Sequence, residues 1–123
     1  MNRLPFRGLI PLLSVKSVRA SIEFYERLGF QVAKTHTPEG STDPMWASLT
    51  SDRAELMLGQ AEHPVQPTKG LFFYLYVDDI PAKHAELSAA GIDVQRIEYP
   101  FWSPRGEFCL KDPDGYDLVI SHT

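Results

Sequence analysis

Cysteine is nearly missing from this chain. Cys109 stands alone among 123 residues, so no internal disulfide can form and a reducing compartment is expected. Between Phe108 and Leu110 it reads as core packing. Long hydrophobic runs are also missing: none approaches the roughly 20 residues a membrane-spanning helix needs. The segment from Met1 to Gly8 has no hydrophobic stretch ahead of a small-residue cleavage site. The expectation is a cytoplasmic protein with no membrane partner. Basic charge is scarce, with twelve Lys plus Arg against sixteen Asp plus Glu and a net charge of −4. With no basic run to follow a phosphate backbone, nucleic acid is not an expected partner. Neither a G-x-S-x-G turn nor a phosphate-cradling glycine loop occurs, which removes support for acyl-transfer and nucleotide chemistry. The four histidines, His36, His63, His84 and His122, are scattered with no pair at short spacing. They read as surface residues rather than metal ligands.

What is present suits a packed globular fold. Hydrophobic residues make up 43% and charged residues 23%, and the length fits one domain or two half-size units sharing a core. The second possibility is favoured by an internal repeat. The offset that carries Val15 onto Val77 also pairs Val18 with Ile80, Gly29 with Gly91, Val32 with Val94, Ala54 with Tyr116, Leu56 with Leu118 and Leu58 with Ile120. No gap is needed along the way.

Each copy reads as strand, helix and three further strands. Apolar runs over 9–15 and 71–77 open the copies as strands. Val18, Ile22, Tyr25 and Leu28 then recur at helical spacing, with Ser17 as N-cap and Gly29 as stop. In the second copy Asp79 caps, Pro81 fits the first turn, Leu87 faces the core and Gly91 ends the helix. Strands are expected over 30–35, 45–50, 54–59, 92–97, 107–111 and 116–121, with hairpin turns at Ser51-Asp52-Arg53 and Asp112-Pro113-Asp114-Gly115. The fold class expected is α+β: one domain over 1–123, with modules over about 8–60 and 70–122 joined by a linker over 61–69.

At these spacings Phe24-Tyr25-Glu26-Arg27-Leu28-Gly29-Phe30, Tyr76-Val77-Asp78-Asp79 and Lys111-Asp112-Pro113-Asp114-Gly115-Tyr116 make the chain resemble the vicinal oxygen chelate superfamily. That superfamily holds glyoxalase I, the bleomycin resistance proteins and the extradiol dioxygenases. The resemblance implies two tandem βαβββ modules forming a curved eight-stranded cup, a site on its concave face, and a homodimer. Metal-dependent members carry two ligands per module, at positions that fall here on Ile10, Met57, Phe72 and Val119. All four are apolar, and a thioether is too soft to replace oxygen or imidazole around a hard or borderline cation. Neither a metal, a cofactor nor a catalytic residue is therefore expected.

Strand alternation furnishes the cup. With Ile10 and Phe72 facing in, so do Leu12, Tyr74 and Tyr76, and Glu55, Met57, Asp117 and Val119 on the later strands. Leu9, Leu13, Val15, Leu71, Phe73 and Leu75 then pack beneath the helices. Trp46, at a position where bleomycin resistance proteins tend to carry Trp, is a contact candidate with Tyr99, Phe101 and Trp102. Contact for Trp46 competes with a core role, and for the loop aromatics with a dimer interface. The expected ligand set is Ile10, Leu12, Trp46, Glu55, Met57, Phe72, Tyr74, Tyr76, Phe101, Trp102 and Val119. It suits a small aromatic or cationic compound held by stacking, an antibiotic among the possibilities. Two rivals stay open: a glyoxalase-like lyase or dioxygenase with an unorthodox metal site drawn from Glu55, Asp117, Tyr74 and His122, and an interaction module whose cup is plugged by Met57, Phe72 and Tyr74.

Overall fold

The first helix begins where a side chain satisfies its open amides. Ser17 accepts from the Ala20 amide at 3.1 Å, and the helix ends at Gly29, whose φ of 125° no side-chain-bearing residue adopts readily. Asp79 does the same for the second helix through the Ala82 amide at 3.0 Å. Around these helices a computed structural model describes residues 2–122. The first module contains β1 (Leu12–Val15), α1 (Val18–Leu28), β2 (Gln31–His36), β3 (Trp46–Ser51) and β4 (Ala54–Gln60). The second contains β5 (Phe72–Tyr76), α2 (Ile80–Ala89), β6 (Phe108–Lys111) and β7 (Asp117–Ser121). The fold is α+β, with seven strands in two sheets ordered β1-β4-β3-β2 and β5-β7-β6.

The internal repeat holds at the level of register. β1 runs parallel to β4 with Leu12 beside Met57, and β5 runs parallel to β7 with Tyr74 beside Val119. Those are the pairs related by the sequence offset. Inward-facing residues of both sheets merge into one core: Leu13, Val15, Ala47, Leu49, Leu56 and Leu58 from the first, Phe108, Leu110, Leu118 and Ile120 from the second. Tyr25, Leu28, Ile80 and Leu87 fill it from the helices.

The modules are also tied by polar contacts. The Tyr25 hydroxyl donates to Asp112 Oδ2 at 2.8 Å in a buried bond, and the Lys16 amide donates to Asp114 Oδ1 at 2.8 Å. The Tyr116 hydroxyl donates to the Ser14 carbonyl at 2.7 Å. Burial pushes the Asp112 carboxyl above its ordinary value, against the hydrogen bonds from Tyr116, Tyr25 and Asp114 that favour its charged form. Burial, followed by the nearby Asp112, drives the Tyr25 hydroxyl far up, so it stays a proton donor.

Two expectations need correction. The strand expected over 92–97 does not form a regular ladder: the Gln95 amide reaches the Cys109 carbonyl, and Glu98 and Glu107 exchange a pair of backbone bonds at 2.8 and 2.9 Å. The seventh and eighth strands expected therefore appear as β6 and β7. Leu9 and Leu71 are exposed, at 93% and 47%, instead of lying beneath the helices. β1 starts only at Leu12, so Leu9 precedes any pairing that would turn it inward. Leu71 lies just outside β5 in the same way.

Candidate functional site

Because both sheets turn one face to the shared core, each leaves its other face outward. On the first sheet that face carries Leu12 and Ser14 from β1, Glu55, Met57 and Gly59 from β4, and Trp46, Ser48 and Thr50 from β3. Leu12 is exposed; Met57 and Trp46 are half-buried. Trp46 sits opposite Gly59, and a Cβ on that glycine would meet Leu12 Cδ1 at 3.4 Å. Leu12 thus lies within van der Waals reach of Gly59, the residue across the strand pair from Trp46. Ile10 is exposed just ahead of β1, and Glu55 is exposed toward the hairpin end.

The outward face of the second sheet is more aromatic. Phe72, Tyr74 and Tyr76 alternate along β5 and are all exposed, while Phe73 and Leu75 turn toward the core. The Tyr74 and Tyr76 rings lie 6.4 Å apart, and those of Phe101 and Trp102 meet edge to face at 5.0 Å. Val119, expected in this lining, is only 2% exposed. On the middle strand it is flanked by Tyr74 and Cys109, which places it beneath the surface a ligand would touch. Asp117, on the same face, pairs with Lys111 Nζ at 2.6 Å. Tyr99 is exposed in the loop before β6.

That loop also brings in a residue that sequence reasoning missed. Glu107 is 8% exposed, and its Oε1 accepts from Trp102 Nε1 and from Ser121 Oγ, both at 3.2 Å. Ser103 Oγ lies 2.9 Å from Ser121 Oγ, to which it can donate while Ser121 donates to Glu107, and this contact ties the loop to β7. Partial desolvation, followed by the Glu107 charge, pushes the Tyr74 hydroxyl above its ordinary value. Burial and the same carboxylate raise the Cys109 thiol, which keeps it protonated and a poor nucleophile. Cys109, expected in the core, instead lies beside Val119 on this outward face, and nothing local in the sequence marked Glu107, two residues before it, as buried here.

A cavity of about 490 Å³ opens beside β5, lined by Leu28, Phe30, Arg53, Ala54, Tyr76 and Lys83 among others. The repeat explains it. Ala54 stands where the second module has Tyr116, whose hydroxyl reaches Ser14, and Ser14 is the counterpart of Tyr76. Tyr116 spans its junction with a phenol that bonds to Ser14, whereas Ala54 is too short to reach across to Tyr76.

A family model describing the Glyoxalase/Bleomycin resistance protein/Dioxygenase superfamily matches residues 10–120. The chain belongs to that superfamily. Among solved structures, it is similar to the glyoxalase family protein from Enterococcus faecalis, at 25% identity and a TM-score of 0.73, over 96% of this chain and 97% of that one. It is also similar to the bleomycin resistance determinant encoded on transposon Tn5, at 23% and 0.74, over 96% and 98%. A third is the bleomycin-binding protein from Streptomyces verticillus in complex with copper(II)-bleomycin, at 21% and 0.75, over 98% and 99%. No curated protein matches the chain.

The superfamily's metal-dependent members invite a test of donor chemistry. Leu12 beside Met57 and Tyr74 beside Val119 place the four ligand positions on the outward faces, near the parallel pairs. Three hydrocarbon side chains and a thioether do not suit the superfamily's metals. The unorthodox set is not brought together either. Glu55 lies on the first sheet, Asp117 is paired with Lys111, and His122 Nε2 meets Arg105 at 3.0 Å. Among the described residues no three His, Cys, Asp or Glu side chains gather to hold an ion. The remaining histidines have separate surroundings: His36 and His63 are exposed, and His84 packs on Phe108 with its Nε2 3.0 Å from the Gln95 carbonyl.

Proposed function

We propose that this chain is a small-molecule binding protein of the bleomycin resistance type, which captures an aromatic, cationic compound by stacking and fit and breaks no bond. The observation that carries this reading is the row of exposed aromatic side chains, Phe72, Tyr74 and Tyr76, beside Trp102, on faces where relatives would carry hard metal ligands. Aromatic faces stack on planar rings and attract cations, each contact contributing on the order of 0.5–2 kcal/mol. Two of the solved relatives are described as bleomycin-binding proteins in complex with that compound or its copper form, which supports the same class of ligand.

The working assembly in this reading is a homodimer. One chain turns its two aromatic and apolar faces away from a common core, so each face is only half of a cleft. A second copy supplies the other half. Ile10, Leu12, Trp46, Glu55 and Met57 would line one side, and Phe72, Tyr74, Tyr76, Phe101 and Trp102 the other. Titration with metal-free bleomycin, followed by Trp fluorescence, tests the reading. Saturable quenching that is unchanged after chelator treatment is expected. Absence of saturable binding by bleomycin and by a panel of planar cationic compounds would leave only the fold.

A further inference from the structure

We propose that Glu107 is the anionic anchor of the second sheet's outward face, selecting ligands that carry a protonated N–H donor next to an aromatic ring system. The inference rests on the binding-protein reading above and names the group that sets its charge preference. Glu107 is almost entirely buried, yet among the described residues no Lys, Arg or His lies within ion-pair distance of it. Buried carboxylates are ordinarily paired, because taking an isolated charge out of water is strongly unfavourable. Arg105 and Lys111, the neighbouring cations in sequence, are turned to His122 and Asp117 instead.

The hydrogen-bond inventory of the carboxylate is half complete. Oε1 takes both neutral donors, Trp102 Nε1 and Ser121 Oγ, and Oε2 takes none from the described residues. Among the described residues no buried side-chain oxygen is sealed without a partner, so Oε2 reaches the outside and stays open to a donor. Its backbone is held on both sides by the paired bonds to Glu98, and Ser103 and Ser121 hold the loop that carries Trp102. The charge is therefore fixed before a ligand arrives, which limits the ordering cost of binding. Trp102 donates to Oε1, which places its exposed indole beside the carboxylate, and Tyr74 is exposed on the same outward face of the sheet. A charge-assisted bond in such a setting is roughly twice as strong as a neutral one.

The test compares two planar probes of nearly the same shape at pH 7.5: 9-aminoacridine, a cation with N–H donors, and acridine, which is neutral. Both are titrated by Trp quenching against the wild-type protein and Glu107→Gln, which keeps an acceptor for Trp102 and Ser121. The wild type is expected to prefer 9-aminoacridine by about tenfold or more. Glu107→Gln should erase that preference while leaving acridine affinity within about twofold. Equal binding of both probes by the wild type overturns the anchor and leaves the binding reading intact, and the wild-type comparison alone decides this should the variant fail to fold. Equal weakening of both probes in the variant assigns Glu107 a purely structural role. Failure of the wild type to bind either probe overturns both.

Discussion

The contact between Tyr25 and Asp112 shows how far one buried side chain can govern the junction of two modules. Asp112 accepts from the Tyr25 hydroxyl and from the amides of Asp114 and Tyr116, yet burial outweighs these bonds and raises its pKa. The folded protein thus binds this proton more tightly than the unfolded chain. Ionisation then costs stability, a cost absent below the ordinary carboxylate value and complete once pH exceeds the raised one. Asp112→Asn removes the titration while preserving the shape. Across that window, urea unfolding should show the wild type losing stability relative to the variant as pH rises; a difference independent of pH would refute the assignment. The sequence placed this aspartate in a turn, but its carboxylate lies under Tyr25, a partner remote in the chain. Such a contact leaves no local pattern to read.

At the scale of elements, the hairpins, helices and caps follow their local sequence closely, and the loop over the second sheet does not. Gly106 returns that loop with φ of 98°, and a Cβ there would meet Ile97 Cγ2 at 2.8 Å and Tyr99 Cε1 at 3.0 Å. Gly106→Ala should therefore strain the backbone and displace the loop, costing about 1–3 kcal/mol. Lower urea midpoints together with a shift in Trp emission are expected, as Trp102 leaves Glu107. An unchanged emission spectrum would show that the loop does not depend on this glycine. The segment over 92–97 shows the opposite weakness in the sequence. Its apolar Ile92, Val94 and Ile97 look like a strand, yet the main chain bonds to its neighbour only at Gln95, which reaches Cys109 of β6, and at Glu98, which meets Glu107 just ahead of β6. Alternation reports which side chains are apolar, not whether a neighbouring strand lies in register.

For the whole molecule, the decisive arrangement is that both modules share one core and look outward. Leu12 on the first sheet, Phe72, Tyr74 and Tyr76 on the second and Trp102 in its loop are each more than 40% exposed, and exposed apolar surface of this kind marks interaction sites. Sedimentation equilibrium is expected to give twice the 13.9 kDa chain mass, and Leu12→Asp to shift the protein toward monomer while weakening probe binding by about tenfold or more. A monomeric wild type that still binds its probe with full affinity would discard the shared cleft.

The sequence alone determined the repeat, the helix ends, the alternation on β1, β4, β5 and β7, and the apolar character of the four metal positions, because periodicity and side-chain chemistry are local properties. It also named most residues of the two outward faces. Only the tertiary structure decided that Val119 is covered, that a cavity opens beside Ala54 and Tyr76, and that Glu107 is buried with no Lys, Arg or His among the described residues in ion-pair reach. Each of those depends on which distant segment lies above a residue, and burial and charge pairing are set by such neighbours.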